Sequence, residues 1–328
     1  MAGGGSRGAV VVNEAYASHP YHASDRDWPE SNCYVDVWIE VLHSMGLEVA
    51  PVLGSTLVSD FEGDQWTFFK LHHSDLYQLF GIEVEELTLW RDLVSHLVGQ
   101  VGRGRIPVVE VDSFYLPDTA GRDYRVAHIK TTVAVEAIDS DRQILRYFHN
   151  RSRHELEGRD FRGLLRVEPE APPAQLMPYC EIAKLDRLVH HDARKLRSIS
   201  LDLFREHWTR RPGANPVERY AATVQADLEA LIASDPEDYD LYAFASIRQC
   251  GSGFAFSADY LQWLAGVDPR WADAAESYSE ISKLASTLVL KMARIVHSGR
   301  MREVSDTLGQ MARAWERGAA SVDRLLQA

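Results

Sequence analysis

Between Ile106 and Asn150 the chain reads IPVVEVDSFYLPDTAGRDYRVAHIKTTVAVEAIDSDRQILRYFHN. Apolar and polar residues alternate in three of its segments, 106–116, 127–138 and 142–150, as they do in strands with one buried face. A Pro-Asp turn follows the first segment, and an Asp-Ser-Asp turn separates the second from the third. Short connections of this kind join antiparallel strands, so the block predicts an antiparallel sheet.

A helix is predicted before this block, in SNCYVDVWIEVLHSMG at residues 31–46. Ser31 and Asn32 are residue types that cap helix N-termini, and Gly46 stands where a helix would end. Apolar side chains follow them at helical spacing. They are Val35, Trp38, Ile39, Leu42 and Met45.

The remaining sequence is predicted to be mainly helical. Residues 75–104 are interpreted as two short helices, and a Pro-rich stretch at 167–178 marks a boundary by composition. Beyond it we expect a broken helical segment at 179–208 and helices at 216–233, 238–249, 257–265, 270–297 and 300–326. Strands grouped after helices indicate the α+β class. We therefore expect a sheet-bearing domain at 1–170 and an α-helical domain at 171–328.

Composition limits the function classes. The chain has 328 residues and a formal net charge of −13, which argues against general nucleic-acid binding because that requires a basic surface. No apolar run reaches the length of a membrane span. Three widely spaced cysteines form no zinc pattern and suggest free thiols in a cytoplasmic protein. We find no dinucleotide, P-loop or metal motif, and we assign no cofactor or metal.

Cys33 is the candidate nucleophile. It lies in the first turn of the predicted helix, directly after the two capping residues. The helix dipole and the unpaired N–H groups there stabilise a thiolate and can also hold an oxyanion. A helix-start cysteine with a histidine supplied by a later sheet is the papain-like arrangement. A buried structural thiol is the alternative interpretation.

His128 is the matching candidate base, because it opens a predicted strand at a sheet edge. If a hairpin returns Asn150 beside it, Asn150 would orient the imidazole. Asp112, at the end of the preceding strand, is the other candidate for this role. Each of these polar residues could instead satisfy loop backbone at a strand end.

The order of a helix-start cysteine, VEVDSFYLPDT (109–119) and a strand that begins with histidine resembles a family of cysteine-dependent acyltransferases known from butirosin biosynthesis. The resemblance implies a papain-like N-terminal domain, a helical C-terminal domain, and transfer of an aminoacyl group from a carrier-protein thioester to an amine. It departs from related peptidases because no Gln directly precedes Cys33. Gln65 or Asn32 would have to supply the second oxyanion donor.

The chain resembles more closely an uncharacterised bacterial family of unknown function. The shared stretches are FEGDQWTFFK (61–70), YLPDT (115–119), HIKTT (128–132) and YFHN (147–150). Members tend to be encoded near amino acid:carrier-protein ligases and small carrier proteins. This implies aminoacyl transfer in natural-product biosynthesis, with the phosphopantetheine arm of a carrier protein as the substrate carrier.

Several polar and aromatic residues are candidates for substrate binding. FEGDQWTFFK crowds Asp64, Gln65, Trp66 and Lys70 together, which could line a pocket for an amino acid, although a surface turn with a buried Trp66 is the alternative. Tyr115 of YLPDT is a further candidate. Lys130 alternates with His128 and so faces the same side of the strand.

Residues 187–211 are basic within an acidic chain. Arg194, Lys195 and Arg197 could dock an acidic carrier protein, or simply form a solvated helix face. The expected activity is acyl transfer through an acyl-Cys33 intermediate to a small amine or hydroxyl acceptor. A papain-like thiol hydrolase or amidase is the alternative enzyme, and a non-catalytic carrier-binding module is the alternative outside enzymes. The sequence does not decide whether the protein forms a homodimer.

Overall fold

The computed structural model describes residues 16–167 and 177–327, and within them the chain has a mixed α+β fold, as the sequence predicts. The strands are β1 (Glu83–Glu86), β2 (Ile106–Asp112), β3 (Lys130–Asp139), β4 (Ile144–His149), β5 (Ser152–Glu157) and β6 (Cys180–Lys184). The helices are α1 (Cys33–Ser44), α2 (His73–Phe80), α3 (Leu93–Val101), α4 (Gly158–Leu164), α5 (Ala193–Trp208), α6 (Pro216–Ile232), α7 (Pro236–Tyr242), α8 (Gln249–Ala265), α9 (Ala272–Ser298) and α10 (Ser305–Gln327). None of these helices is long and apolar enough to span a membrane.

All six strands join in one antiparallel sheet with the order β1-β6-β2-β3-β4-β5. The three predicted strands correspond to β2, β3 and β4, which confirms the antiparallel block. The other three strands have four to six residues each and are not predicted from the sequence. Runs this short carry too few alternations to separate them from loop or helix.

The predicted helix at 179–208 is wrong in its first part. Residues 180–184 form β6, which pairs with β1 on one side and β2 on the other. Helix α5 begins only at Ala193, where the Asp192 carboxylate accepts a hydrogen bond from the Lys195 amide. A domain boundary after residue 170 therefore assigns a strand of the sheet to the helical region. Most of the Pro-rich stretch, residues 168–176, lies outside the described residues.

Helix α8 begins earlier than the predicted start at residue 257. It includes Gly251 and Gly253, which sequence analysis places in no helix, and it follows a π-helical turn at Ala243–Arg248. A Cβ atom on Gly251 would lie 2.3 Å from the indole ring of Trp28. Glycine is therefore required here because it lets the N-terminal segment pack directly on α8.

The two faces of the sheet carry different cores. Val108, Ala134 and Phe148 face α1 and belong to a large core that continues into the C-terminal helices. Val109, Val133 and Tyr147 point to the other face, where they pack with residues of α3 and α4. Helix α1 thus lies on the face of the sheet whose core continues into the helical C-terminal region.

Helix α1 buries two acidic side chains, Asp36 and Glu40, and His22 lies against both. The His22 Nδ1 atom is 2.5 Å from Glu40 Oε1, and Nε2 is 3.5 Å from Asp36 Oδ1. Burial lowers the pKa of His22, but the hydrogen bonds and charges of Asp36 and Glu40 outweigh burial and raise the pKa to about 9. A buried imidazolium therefore fastens the N-terminal segment to α1.

We expect the stability of the protein to fall as His22 loses its proton. A histidine whose pKa is raised on folding adds stability below its unfolded value of 6.5 and loses that contribution as the pH rises through about 9. The difference in unfolding free energy between the native protein and His22→Gln should therefore shrink by as much as about 3 kcal/mol from about pH 6 to about pH 9.5. Urea denaturation at a series of pH values measures it.

The exposed His190 supplies a control for this experiment. His190→Gln should show a nearly constant difference from the native protein over the same range. A constant difference for His22→Gln would contradict the charged state of His22.

Candidate active site

Cys33 is the first residue of α1, as predicted. The Asn32 side chain caps the helix by accepting a hydrogen bond from the Val35 amide at 3.0 Å. The first intrahelical bond joins the Asp36 amide to the Asn32 carbonyl, so the amides of Cys33 and Tyr34 precede the helical ladder. The other end of the Asn32 amide donates to the Phe69 carbonyl. Both ends of the Asn32 side chain are therefore engaged, and one N–H of its amide remains for the predicted role of second oxyanion donor.

Cys33 differs from its neighbours at the start of α1 because it is partly exposed. From Ser31 to Leu42 every residue is buried except Cys33, which is half-buried and unpaired with any other cysteine. The Cys33 Sγ atom lies 3.6 Å from the hydroxyl of Thr132 on β3. The helix therefore presents one partly accessible thiol at its N-terminus, and a hydroxyl that can hydrogen-bond a thiolate lies beside it.

A row of polar side chains extends from this contact along the face of the sheet that α1 covers. Alternation along β3 places Lys130 on the same side as Thr132, and His128 continues the alternation two residues earlier. On the neighbouring strand, Glu110 binds the Lys130 amine at 3.0 Å. We call the set of Thr132, Lys130, His128, Glu110 and Asp112 the polar row.

His128 forms a pair with Asp112 at the far end of the polar row. The His128 Nδ1 atom lies 2.6 Å from Asp112 Oδ2, and the imidazole stacks on the ring of Phe114 at 4.3 Å. The other Asp112 oxygen accepts a hydrogen bond from the Phe114 amide. These contacts fix the ring and leave Nε2 as the nitrogen that can exchange a proton. The pair is exposed to solvent, with 66% of the His128 side chain accessible.

The structure does not bring His128 into hydrogen-bond contact with Cys33 among the described residues. The Cys33 thiol meets Thr132, which is four residues beyond His128 on one extended segment. At roughly 3.3 Å per residue, the two Cα atoms of His128 and Thr132 are about 13 Å apart. The expectation of a direct Cys33–His128 contact is therefore not met.

Asn150 does not orient His128, contrary to one of the two expected arrangements. The strand pairing between β3 and β4 ends at Ala134 and Phe148, so β4 turns before it can reach His128. Asn150 instead occupies the tight turn between β4 and β5, with a φ of 48°. Asparagine tolerates this left-handed conformation, which explains the residue without a catalytic role. Asp112 takes the orienting position.

Three of the sequence motifs meet in one buried hydrogen-bond network that sequence analysis missed. Asp118 of YLPDT accepts hydrogen bonds from the Tyr147 hydroxyl at 2.5 Å and from His149 Nδ1 at 2.6 Å, both in YFHN. The other His149 nitrogen is 2.8 Å from the hydroxyl of Thr131 in HIKTT. Burial alone would raise the pKa of Asp118, but the hydrogen bond and charge of His149 lower it. The network ties the loop after β2 to β4 on the face away from Cys33, and so positions the segment that carries His128.

The candidates in FEGDQWTFFK do not form one pocket. Asp64 and Gln65 are exposed in a turn, and no hydrogen bond joins Gln65 to Cys33. Trp66 is buried against Tyr220 and Phe254, as the alternative interpretation expects. Lys70 alone approaches the site.

The Lys70 amine lies over the ring of Tyr34, the residue after Cys33, at 4.6 Å. The Tyr34 hydroxyl in turn donates to the buried carboxylate of Glu181 on β6 at 2.8 Å. His73 lies 2.7 Å from the same hydroxyl. These polar groups extend the polar row toward β6. Glu181 and His73 were not predicted as site residues because they belong to no sequence motif.

Tyr115 packs inside the fold and does not reach the thiol. A Cβ atom on Gly163 of α4 would lie 2.1 Å from the Tyr115 ring, so the two residues are in direct contact. The Arg125 guanidinium covers the opposite side, 5.4 Å from the ring centre. Sequence analysis expected a substrate-binding residue here, and the structure gives Tyr115 a packing role.

Comparison with known protein families gives a match along most of the chain. The DUF1839 N-terminal domain matches residues 17–185, and the DUF1839 C-terminal domain matches residues 193–324. The chain belongs to the DUF1839 family. This confirms the resemblance to an uncharacterised family of unknown function. The first match ends at residue 185, directly after β6, and the second begins at residue 193. A comparison with curated proteins found no match.

The basic segment of this DUF1839 protein lies away from α1. Helix α5 packs against α2 and against a 3-10 helix at Ala50–Val58. Arg194 and Lys195 are exposed. Arg197 is partly buried, with its guanidinium 4.7 Å from the ring centre of Trp263. Only the first two of the three predicted docking residues are therefore presented to a partner.

We expect Cys33 to be the one cysteine that reacts rapidly in the folded protein. Burial and the Glu181 charge raise the pKa of Cys180 to about 12, and burial raises the pKa of Cys250 well above its usual range. A short exposure to iodoacetamide followed by peptide mass mapping should therefore label Cys33 alone. In urea all three should react, and Cys33→Ala should remain unlabelled in the native state. Equally slow labelling of all three thiols would show that Cys33 is inert.

Proposed function

We propose that the protein is a cysteine-dependent acyltransferase that takes an aminoacyl or acyl group from a carrier-protein thioester. The observation that carries the proposal is the isolation of Cys33 as the one accessible side chain of a buried helix N-terminus. A helix N-terminus stabilises a thiolate and supplies amides for an oxyanion. The match to an uncharacterised family leaves the reaction itself as our inference.

In the first step the Cys33 thiolate attacks the thioester carbonyl. A bond forms between sulfur and the carbonyl carbon, the bond to the carrier sulfur breaks, and the carrier leaves as a thiolate that takes a proton from solvent. The Thr132 hydroxyl, 3.6 Å from Sγ, is placed to donate a hydrogen bond to the attacking thiolate. The amides of Cys33 and Tyr34 are the candidate donors to the oxyanion.

In the second step an amine or hydroxyl acceptor attacks the acyl-Cys33 carbonyl and releases the thiolate. We assign His128 to this step because it does not contact Cys33 and has its Nδ1 bound to Asp112. His128 Nε2 takes a proton from an ammonium acceptor as it enters along the polar row, and when the resulting neutral amine attacks, the proton that its nitrogen loses passes to the departing Cys33 sulfur. The polar row between the thiol and His128 is the surface along which the acceptor lies.

The helix-start thiol over a sheet that carries a histidine–carboxylate pair supports a papain-like arrangement. The carboxylate is Asp112, from the neighbouring strand. The exposed Arg194 and Lys195 form the proposed dock for an acidic carrier protein, since an acidic partner is repelled by a chain of net charge −13 except at a local basic surface.

Intact-mass analysis after incubation with an aminoacylated carrier protein tests the nucleophile. We expect the native protein to gain the mass of the acyl group because Cys33 accepts it, and we expect Cys33→Ala to gain none. The variant retains Cys180 and Cys250, so an adduct on it would contradict the assignment. Loss of the adduct to water without any acceptor would indicate the thiol hydrolase instead. No adduct on the native protein would favour a binding module without chemistry.

Asp112→Asn should slow the transfer step by about a hundredfold or more while leaving formation of acyl-Cys33 intact. The reason is that the amide no longer holds His128 in the tautomer with a free Nε2. Single-turnover kinetics with and without an acceptor amine separate the two steps, and His128→Gln should give the same pattern.

The matched control is Asp141→Asn, which makes the same carboxylate-to-amide change in the exposed turn between β3 and β4 and should leave both steps unchanged. If His128→Gln abolished acylation as strongly as transfer, His128 would activate Cys33 directly and the two-step division would be wrong.

A further inference from the structure

Three arginines surround the carboxylate of Glu30, three residues before Cys33. Arg122 Nη1 lies 3.2 Å and Arg248 Nη2 4.0 Å from Glu30 Oε2, and Arg151 Nε lies 3.5 Å from Oε1. We call Arg122, Arg151 and Arg248 the arginine cluster. The three come from distant parts of the chain: the loop before β3, the turn between β4 and β5, and the π-helical turn before α8.

The arginine cluster carries more positive charge than its neighbours neutralise. Glu30 supplies one negative charge, and Arg122 also faces Asp123 at 3.6 Å. Each guanidinium has five N–H donors, so most donors of the cluster are not used by these contacts. The side chains of Arg122 and Arg151 are 54% and 48% accessible. In a chain of net charge −13 this is a local site for an anion.

A cavity of about 340 Å³ lies directly beside the cluster. Glu30, Arg122 and Arg151 form part of its wall together with the loop at 118–121, the turn at 149–152 and His154. The other acidic group of the wall, Asp118, is already bound by Tyr147 and His149. The arginines are therefore the charged groups of the wall that retain free donors, and the cavity is large enough for a small ligand.

The same cluster holds the chain immediately before the nucleophile. Arg248 donates from Nη2 to the Glu30 carbonyl at 2.8 Å and from Nε to the Ser31 carbonyl at 3.2 Å. Ser31 is two residues from Cys33. An anion that binds the cluster therefore lies close to the start of α1, where the proposed acyl transfer takes place.

We propose that the arginine cluster binds the phosphate group of a phosphopantetheine arm and so places its thioester at Cys33. The forked donors of arginine match a phosphate oxygen pair, and the single negative charge of the phosphodiester in a carrier-bound arm would balance the one excess positive charge of the cluster. This inference rests on the proposed acyltransfer for its ligand, whereas the anion site itself rests on the geometry of the cluster.

Calorimetry on the full-length protein tests the site without any chemistry. We expect 4′-phosphopantetheine to bind at least about tenfold more tightly than pantetheine, because charge-assisted contacts to phosphate contribute on that scale. Arg151→Gln should remove most of this difference. The matched control is Arg142→Gln, which removes the same charge from the hairpin turn at the opposite end of the sheet and should keep the difference. Equal binding of both compounds to the native protein would overturn the inference.

Kinetics with two thioester substrates separates this inference from the proposed function. In the native protein the KM for an aminoacyl-phosphopantetheine should be about tenfold below that for the aminoacyl-pantetheine, and Arg151→Gln should bring the two values together. The paired change Arg194→Glu and Lys195→Glu should instead raise KM only for the carrier-bound substrate. If both small thioesters are transferred with equal KM, the proposed phosphate site is wrong and the proposed acyltransferase function stands. Selective phosphopantetheine binding without any acyl-Cys33 would refute the acyltransferase and keep the anion site.

Discussion

Helix α1 is buried from Tyr34 to Leu42, and this burial constrains how the rest of the molecule packs around it. Asp36 and Glu40 lie within this helix, away from water, and an unpaired buried carboxylate is costly. His22 and Tyr16 reach them from the N-terminal segment, which must therefore wrap around the helix. The sheet covers α1 from one side, and apolar side chains of α1 belong to the same core cluster as those of the C-terminal helices. The same enclosure leaves Cys33 as the one residue from Ser31 to Leu42 that is not buried.

The two halves of the chain share a single apolar core in addition to the smaller core behind the sheet. Residues of α1 pack in the same cluster as Phe254, Tyr260 and Tyr278 of α8 and α9. Trp28 crosses to α8 at Gly251, and its indole donates to Ser282 of α9. The position of the thiol therefore depends on the helical region as well as on the sheet. Arg248, at the end of a π-helical turn, is the polar part of this connection.

The sequence predicts those parts of the fold and site whose determinants are local. Helix α1, its Asn32 cap and the Cys33 position follow from capping and periodicity, and the three central strands follow from alternation. The orienting partner of His128 depends on where β4 ends, which a turn at Asn150 decides. Glu181 and the Asp118–His149 network depend on long-range pairing between strands, so the spacing of residues along the chain could not reveal them.

The position of β6 in the sheet has a consequence for how the polypeptide can fold during synthesis. This strand is the last of the six along the chain, yet it lies between β1 and β2 and supplies the only partner of β1 among the described residues. Until residue 184 has left the ribosome, β1 has no neighbour and one edge of β2 remains open to other chains. A fragment that ends near residue 170 would carry both exposed edges permanently and should aggregate. Expression of the sheet-bearing part alone must therefore include residues 180–184.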